Sequence, residues 1–367
     1  MGFSKENVLN VVLMRAYNAG DSIRSSMQGA YDTFGGDVCF FVVNDGSIDN
    51  TWDEIMQFSR EHPTTVHAYD YPHEGGASAV KKVMFHALDF GMNLPAGTPV
   101  AFSTLDADDQ ITSGAVVASK KIGKICEELG EDPGIVCYLP FKRTGYLPNG
   151  DDAEYYNLAA YRLSRTCQSF DTLSPADQTT FVERVPLAYQ FKTISLKALF
   201  NYVTTVMPYY PNDGKIAIDM PSIIMPFYPK TLMTGVTEIG SVYHKSSKSV
   251  TGSQYSDPLP VVKEKVAHKI YFAQLARKVA RIHPTLFSPS AIQALDAFEA
   301  RMHEFITRRT EEIYPGLGGF VETLWDKMKK EPLPVDPSTP VSNRLFLSSQ
   351  PAEKKPPVSI AYNLKGI

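Results

Sequence analysis

Over roughly the first 140 residues, short apolar runs alternate with stretches whose apolar positions recur at helical spacing. The runs at 8–14, 38–43, 66–69, 100–105 and 135–139 are short and rich in Val, Ile and Phe, and each reads as a buried strand. Between the first two, Asn18, Gly20 and Asp21 form a turn cluster, followed by Ile23, Met27, Ala30, Tyr31 and Phe34 on one helical face. Thr51 and Glu54 have the spacing of a capping box, opening a helix with Trp52, Ile55 and Met56 inward. Further helices are predicted at about 78–90 and 113–129. Strand and helix in alternation predict an α/β fold, a parallel sheet covered by helices.

The segment 141–258 is rich in Tyr and Pro, with weak strand signals at 187–196 and 231–243. From 259 to 330 the pattern is helical, with Val262, Val266, Ile270 and Ala273 on one stripe and Ala294, Ala297, Phe298, Met302 and Phe305 on another. Residues 331–367 are proline-rich and aperiodic, which predicts an extended or disordered tail. The expected units are therefore 1–140, 141–258, 259–330 and that tail.

Composition narrows the function without naming it. A formal charge of −4 over 367 residues argues against a surface that grips nucleic acid as a whole. Cys39, Cys126, Cys137 and Cys167 show no Cys-x-x-Cys pair, and Cys39 and Cys137 fall inside apolar runs, as reduced core thiols do. The opening MGFSKENVLN lacks a signal-peptide core, and no apolar run approaches the roughly 20 residues of a membrane span. A cytoplasmic location is expected, with peripheral contact to an anionic surface through the basic helix 262–281 as a further reading. That helix carries Lys263, Lys265, Lys269, Arg277, Lys278 and Arg281 against Glu264. A solvated face, a membrane platform and a nucleic-acid platform all remain open for it.

Carboxylates collect where an α/β sheet binds ligands, outside the carboxyl ends of its strands. Asp45 ends the second predicted strand, where it is either a turn residue or a ligand group. Asp106, Asp108 and Asp109 follow the fourth. Carboxylates so close repel one another unless solvated or bound to a cation, and a hard divalent ion carrying a diphosphate suits them.

Four segments, VVLMRAYNAGDSIRSSM, FFVVNDGSIDNTWDEI, HEGGASAVKKVMFHAL and VAFSTLDADDQITSGAV, stand in an order that resembles the family 2 glycosyltransferases of the GT-A fold, a Rossmann-like nucleotide-sugar-binding domain. SVYHKSSKSV resembles the family's later strand-plus-His segment. The resemblance implies an inverting glycosyltransferase that takes a nucleotide-sugar donor, UDP-linked, with Mn²⁺ or Mg²⁺. It places Ala16, Tyr17 and Asn18 at the nucleotide, Asp45 on the uracil N–H, and Gly75 and Gly76 in a loop of close backbone approach. It puts Asp106 near the ribose, Asp108 on the metal, and His244 near metal and diphosphate. The general base falls on Asp219, which also reads as a helix N-cap ahead of Pro221, with Asp213 as runner-up and a plain turn as its alternative.

The chain departs from the family at Arg15, where a small residue or Pro is common. It also lacks Glu-Asp at the base position and the Gln-x-x-Arg-Trp motif of processive synthases. Tyr155, Tyr156, Tyr161, Tyr189, Tyr209 and Tyr210 would either stack on sugar or base rings or pack a second layer. The acceptor, a glycan, lipid, protein or nucleic acid, is left open. Two rivals stand beside this reading. A nucleotidyltransferase would want a Gly-rich basic loop after the first strand, where Arg15-Ala16-Tyr17-Asn18 stands. A nucleotide-sugar-binding scaffold would have kept the fold and lost the base.

Overall fold

A computed structural model describes residues 8–144, 153–155 (backbone only), 162–184, 192–210, 219–244 and 258–333. Asp213, Tyr156, Tyr161, Tyr189, the side chain of Tyr155 and the tail beyond 333 lie outside the described residues.

The first half follows the hydrophobic pattern closely. Strand β1 (Leu9–Ala16) leads through helix α1 (Ile23–Thr33) to β2 (Cys39–Asp45), and helix α2 (Thr51–Glu61) leads to β3 (Val66–Tyr71). Helix α3 (Gly76–Met92) then returns the chain to β4 (Val100–Asp106). These four strands run parallel in the order β3-β2-β1-β4. Side chains of β1 alternate between two apolar clusters, Val11 and Leu13 facing one and Val12 and Met14 the other. Both faces of the sheet are thus covered, which is why its strands read as unbroken apolar runs.

Beyond β4 the topology leaves the simple alternation. After the short β5 (Gln110–Ile111), α4 (Ser113–Leu129) and β6 (Ile135–Tyr138) come β7 (Phe141–Thr144), β8 (Ala153–Tyr155) and β9 (Gln168–Ser169). Helix α5 (Pro175–Arg184), strand β10 (Lys192–Ser195), helix α6 (Leu196–Thr205), strand β11 (Leu232–Gly235) and strand β12 (Ser241–His244) follow. The large sheet has the order β3-β2-β1-β4-β10-β6-β11-β9, and β5-β12-β7-β8 form a smaller one. Strands β1 to β4 are parallel, as expected of the first half, and the middle segment adds antiparallel neighbours. β10 inserts antiparallel between β4 and β6, and β9 is antiparallel to β11. A late strand that crosses back gives only a weak local signal, because its partners are distant in sequence.

The last helices are α7 (Leu259–Ile282), α8 (Pro289–Ile313) and α9 (Gly318–Lys330). Their inner residues, Ile270, Phe272, Leu295, Phe298 and Trp325, join the same apolar cluster as Val11 and Phe102 of the sheet. The basic face of α7 is drawn into this bundle. Arg277 pairs with Asp296 of α8, and Lys278 donates to the backbone oxygens of Met328 and Glu331 at the end of α9. Tyr209 and Tyr210 are buried, so their rings pack the core rather than face a ligand.

The capping box is corrected as well. Asn50, not Thr51, precedes α2, and its side chain makes no cap bond. The Thr51 hydroxyl instead accepts the Ala19 N–H at 2.7 Å, stitching the loop after β1 to the start of α2. Among the described residues no helix is long and apolar enough to cross a membrane.

Candidate active site

Three loops meet at the carboxyl ends of β1, β2 and β4, the edge at which an open α/β sheet receives ligands. Each is held by polar side chains reading backbone groups of its neighbour. Asn18, at φ +48°, donates its N–H to Ser47 Oγ (2.9 Å) and accepts the Ile48 N–H on its side-chain oxygen (3.0 Å). Ala16, the last residue of β1, is buried opposite Asn44, while the Tyr17 ring stands out at the mouth, 47% exposed.

Asp45 is only 2% exposed, yet it is well provided with partners. Its carboxylate accepts the N–H groups of Glu74 and Gly75, both at 3.0 Å, and lies 2.9 Å from His73 Nδ1. Three of roughly four acceptor positions on a carboxylate are then filled from within the chain. The loop can come this close because Gly46 lies at φ +67° and lacks a Cβ, which would stand 2.4 Å from the His73 nitrogen. Gly75, at φ +101°, caps α3, and Gly76 begins it. His73 stacks on Tyr17 with ring centres 4.1 Å apart. The sequence reading passed over His73, although it stands beside the Gly-Gly pair. Nothing in the one-dimensional pattern tells that its ring reaches across to Asp45.

The acids after β4 separate into distinct roles. Asp106 ends the strand in register with Arg15 of β1, whose Nε is 3.2 Å from its carboxylate. Arg15 therefore sits inside the acidic edge and offsets part of its charge. Asp109 is buried and accepts the backbone N–H of His244 at 2.8 Å, tying the acidic loop to β12. The carboxyl of Asp108 is pushed above the usual range by burial and by Asp106, against the opposing pull of His244 and Arg15.

A divalent cation fits here on two observations. The buried Nε2 of His244 has no hydrogen-bond partner, while its Nδ1 lies 2.6 Å from Thr144 Oγ1. With the proton on Nδ1, that bond leaves the Nε2 lone pair available, as in metal-ligating histidines. Asp108 adds an under-compensated carboxylate. Among the described residues no three His, Cys, Asp or Glu side chains converge as a ready cage. Two protein donors, with phosphate and water completing the shell, is how Mg²⁺ is commonly held.

Asp219 comes from a segment distant in sequence, at the start of the 3-10 helix Met220–Phe227, yet it lines a narrow cavity with Arg15, Thr104, Asp106 and Met84. Asp219 holds the expected N-cap position with Pro221 in the first turn, but its side chain makes no cap bond, so the carboxyl is not tied to its own helix. Burial raises its pKa to about 6, with Arg15 and Lys192 pulling it down and Asp106 pushing it up. A larger groove, of about 700 Å³, is lined by α8, α9 and Gly318 and includes none of these residues.

Among solved structures, the chain is similar to S. aureus TarS 1-349 in complex with UDP-GlcNAc (TM-score 0.47, 13% identity, 87% of this chain and 89% of that one). It is also similar to the mannosyltransferase PcManGT from Pyrobaculum calidifontis in complex with GDP-Man and Mn²⁺ (TM-score 0.36, 12% identity, 87% and 80%). No protein family and no curated protein matches it. Likeness at this level says nothing of activity.

Proposed function

We propose that this chain is an inverting glycosyltransferase that moves a sugar from a nucleotide donor, UDP-linked, to the hydroxyl of an acceptor. The observation that carries the reading is the meeting of Arg15, Asp106 and Asp219 in one cavity at the carboxyl edge of β1 and β4. A carboxyl whose pKa is raised to about 6 is a stronger base than an ordinary Asp and is still ionised near neutral pH.

In this reading the ring of Tyr17 and the remaining acceptor position of Asp45 receive the base, with Ala16, Asn18, Gly75 and Gly76 shaping the loops around it. Asp106 faces the ribose. Asp219 takes the proton of the acceptor hydroxyl as its oxygen bonds to the anomeric carbon from the face opposite the leaving group. The electron pair of the breaking C–O bond stays with the diphosphate, and Arg15 stands near enough to the cleft to offset part of that charge. Asp108 and His244 would hold Mn²⁺ or Mg²⁺, which when bound supplies electrostatic stabilisation of the departing diphosphate.

A thermal-shift series of UDP-, GDP- and dTDP-sugars, with and without Mn²⁺, tests donor binding, because a ligand that binds the folded state raises its melting temperature. A rise with UDP-sugars that Mn²⁺ increases is expected, and no rise with any donor would end the proposal. With the donor known, the anomeric configuration of the product reports the stereochemistry, and retention would remove Asp219 from its role.

A further inference from the structure

Lys192 is the anomaly of the inner sheet. It opens β10 between β4 and β6, is only 3% exposed, and is followed in its strand by buried Thr193, Ile194 and Ser195. An ammonium withdrawn from water is expensive unless it is hydrogen-bonded and faces opposite charge. Lys192 has both. Its Nζ donates to Ser222 Oγ at 2.7 Å, and Ser222 is fully buried in the 3-10 helix that begins after Asp219. The N–H of Ser222 in turn donates to the backbone oxygen of Asp219 at 3.0 Å. The lysine thus grips the first turn of the segment that presents the carboxyl, and its charge acts electrostatically on that carboxyl.

We propose that Lys192 is a positioning residue for Asp219, anchoring its helical turn through Ser222 and keeping a positive charge within electrostatic reach of its carboxylate. The inference rests on the reading of Asp219 as the proton acceptor. Among the described residues, the charged groups that act on this carboxyl are Arg15 of β1, Asp106 of β4 and Lys192 of β10. Arg15 is paired with Asp106, and Lys192 responds electrostatically to Asp219. Burial pulls the Lys192 pKa down to about 7 while Asp219 works to raise it, as expected of a buried ammonium within reach of an opposite charge.

The test is the titration of Asp219 itself, followed by carbon-13 NMR of the full chain labelled at Asp carboxyls, with Asp219→Asn identifying the resonance. In Lys192→Met the midpoint should move up by about one pH unit. Lys192→Arg should restore most of it, and Ser222→Ala, which keeps the charge and removes the anchor, should move it less. Replacing a buried ion by an apolar side chain of similar volume is often tolerated by the fold. If Lys192→Met proves unstable, Lys192→Gln, which also removes the charge, takes its place. An unchanged midpoint in Lys192→Met, or in Lys192→Gln should Lys192→Met not fold, overturns the proposal. A turnover assay of Asp219→Asn separately tests whether Asp219 is the base, so the two failures are distinguishable. If Asp219→Asn turns over normally while the midpoint still moves, the base is wrong and the coupling stands.

Discussion

The carboxylate of Asp109 accepts the backbone N–H of His244 at 2.8 Å, joining the acidic loop after β4 to a strand of the smaller sheet. Three acids in four residues look alike in sequence, yet this one is a buried tie and Asp106 and Asp108 are not. Asp109→Ala leaves that amide without its acceptor and should lower stability by about 1–3 kcal/mol, read by denaturant melts. Asp106→Ala, at a partly exposed pair with Arg15, should cost less than about 1 kcal/mol. Equal losses in the two variants would refute this division of roles.

Asp219→Asn should cut kcat by about 10²–10⁴ while donor binding survives. In the wild-type chain, kcat/KM should fall as pH drops through about 6, where the free-enzyme carboxyl takes up a proton.

The same substitution should act on stability in the opposite sense. A carboxyl whose folded pKa is raised above its unfolded value stabilises the fold fully below the unfolded pKa, and that contribution is lost as pH rises through about 6. Asn carries no charge to bury, so Asp219→Asn should melt higher than wild type at pH 7.5, by about 1–3 kcal/mol, and match it near pH 4. A gain that persists at pH 4 would mean that packing, not charge burial, sets the difference.

Gly46 holds the approach between the β2 end and the His73 loop. Gly46→Ala brings a Cβ against backbone and forces a positive φ, which should cost about 1–2 kcal/mol or more and weaken donor binding through the displaced Asp45 loop. Calorimetry of the variant with and without donor checks both effects.

Lys278 lies between α7 and the end of α9, where it donates to two backbone oxygens. Lys278→Met should lower stability by about 1 kcal/mol in urea melts, because carbonyls at a helix end lose a cationic partner. No change would return this lysine to the solvated face that the sequence pattern suggests.

The linear pattern was enough for the alternating half of the fold. Apolar runs such as 38–43 and helical spacing such as Ile23, Met27 and Ala30 record burial directly, because a covered face must be apolar at the period of its element. The same pattern placed Asp45 and Asp106 at strand ends. It missed α5 and α6 and left β10 as a weak signal, since their boundaries depend on partners rather than on period. It also misread Thr51, whose hydroxyl bonds a distant loop rather than its own helix.

By itself, then, the sequence determined which segments are strands and helices in the first half, and which acids end the strands. Only the tertiary structure decided that Asp219 shares a cavity with Arg15 and Asp106, that His73 reaches Asp45, that Lys192 bonds Ser222 in the turn after Asp219, and that Asp109 and Arg277 are internal ties. The reason is one of range. Periodicity registers how each element meets water, a property local to it, whereas a site is made by charges that long loops and a back-crossing strand bring together.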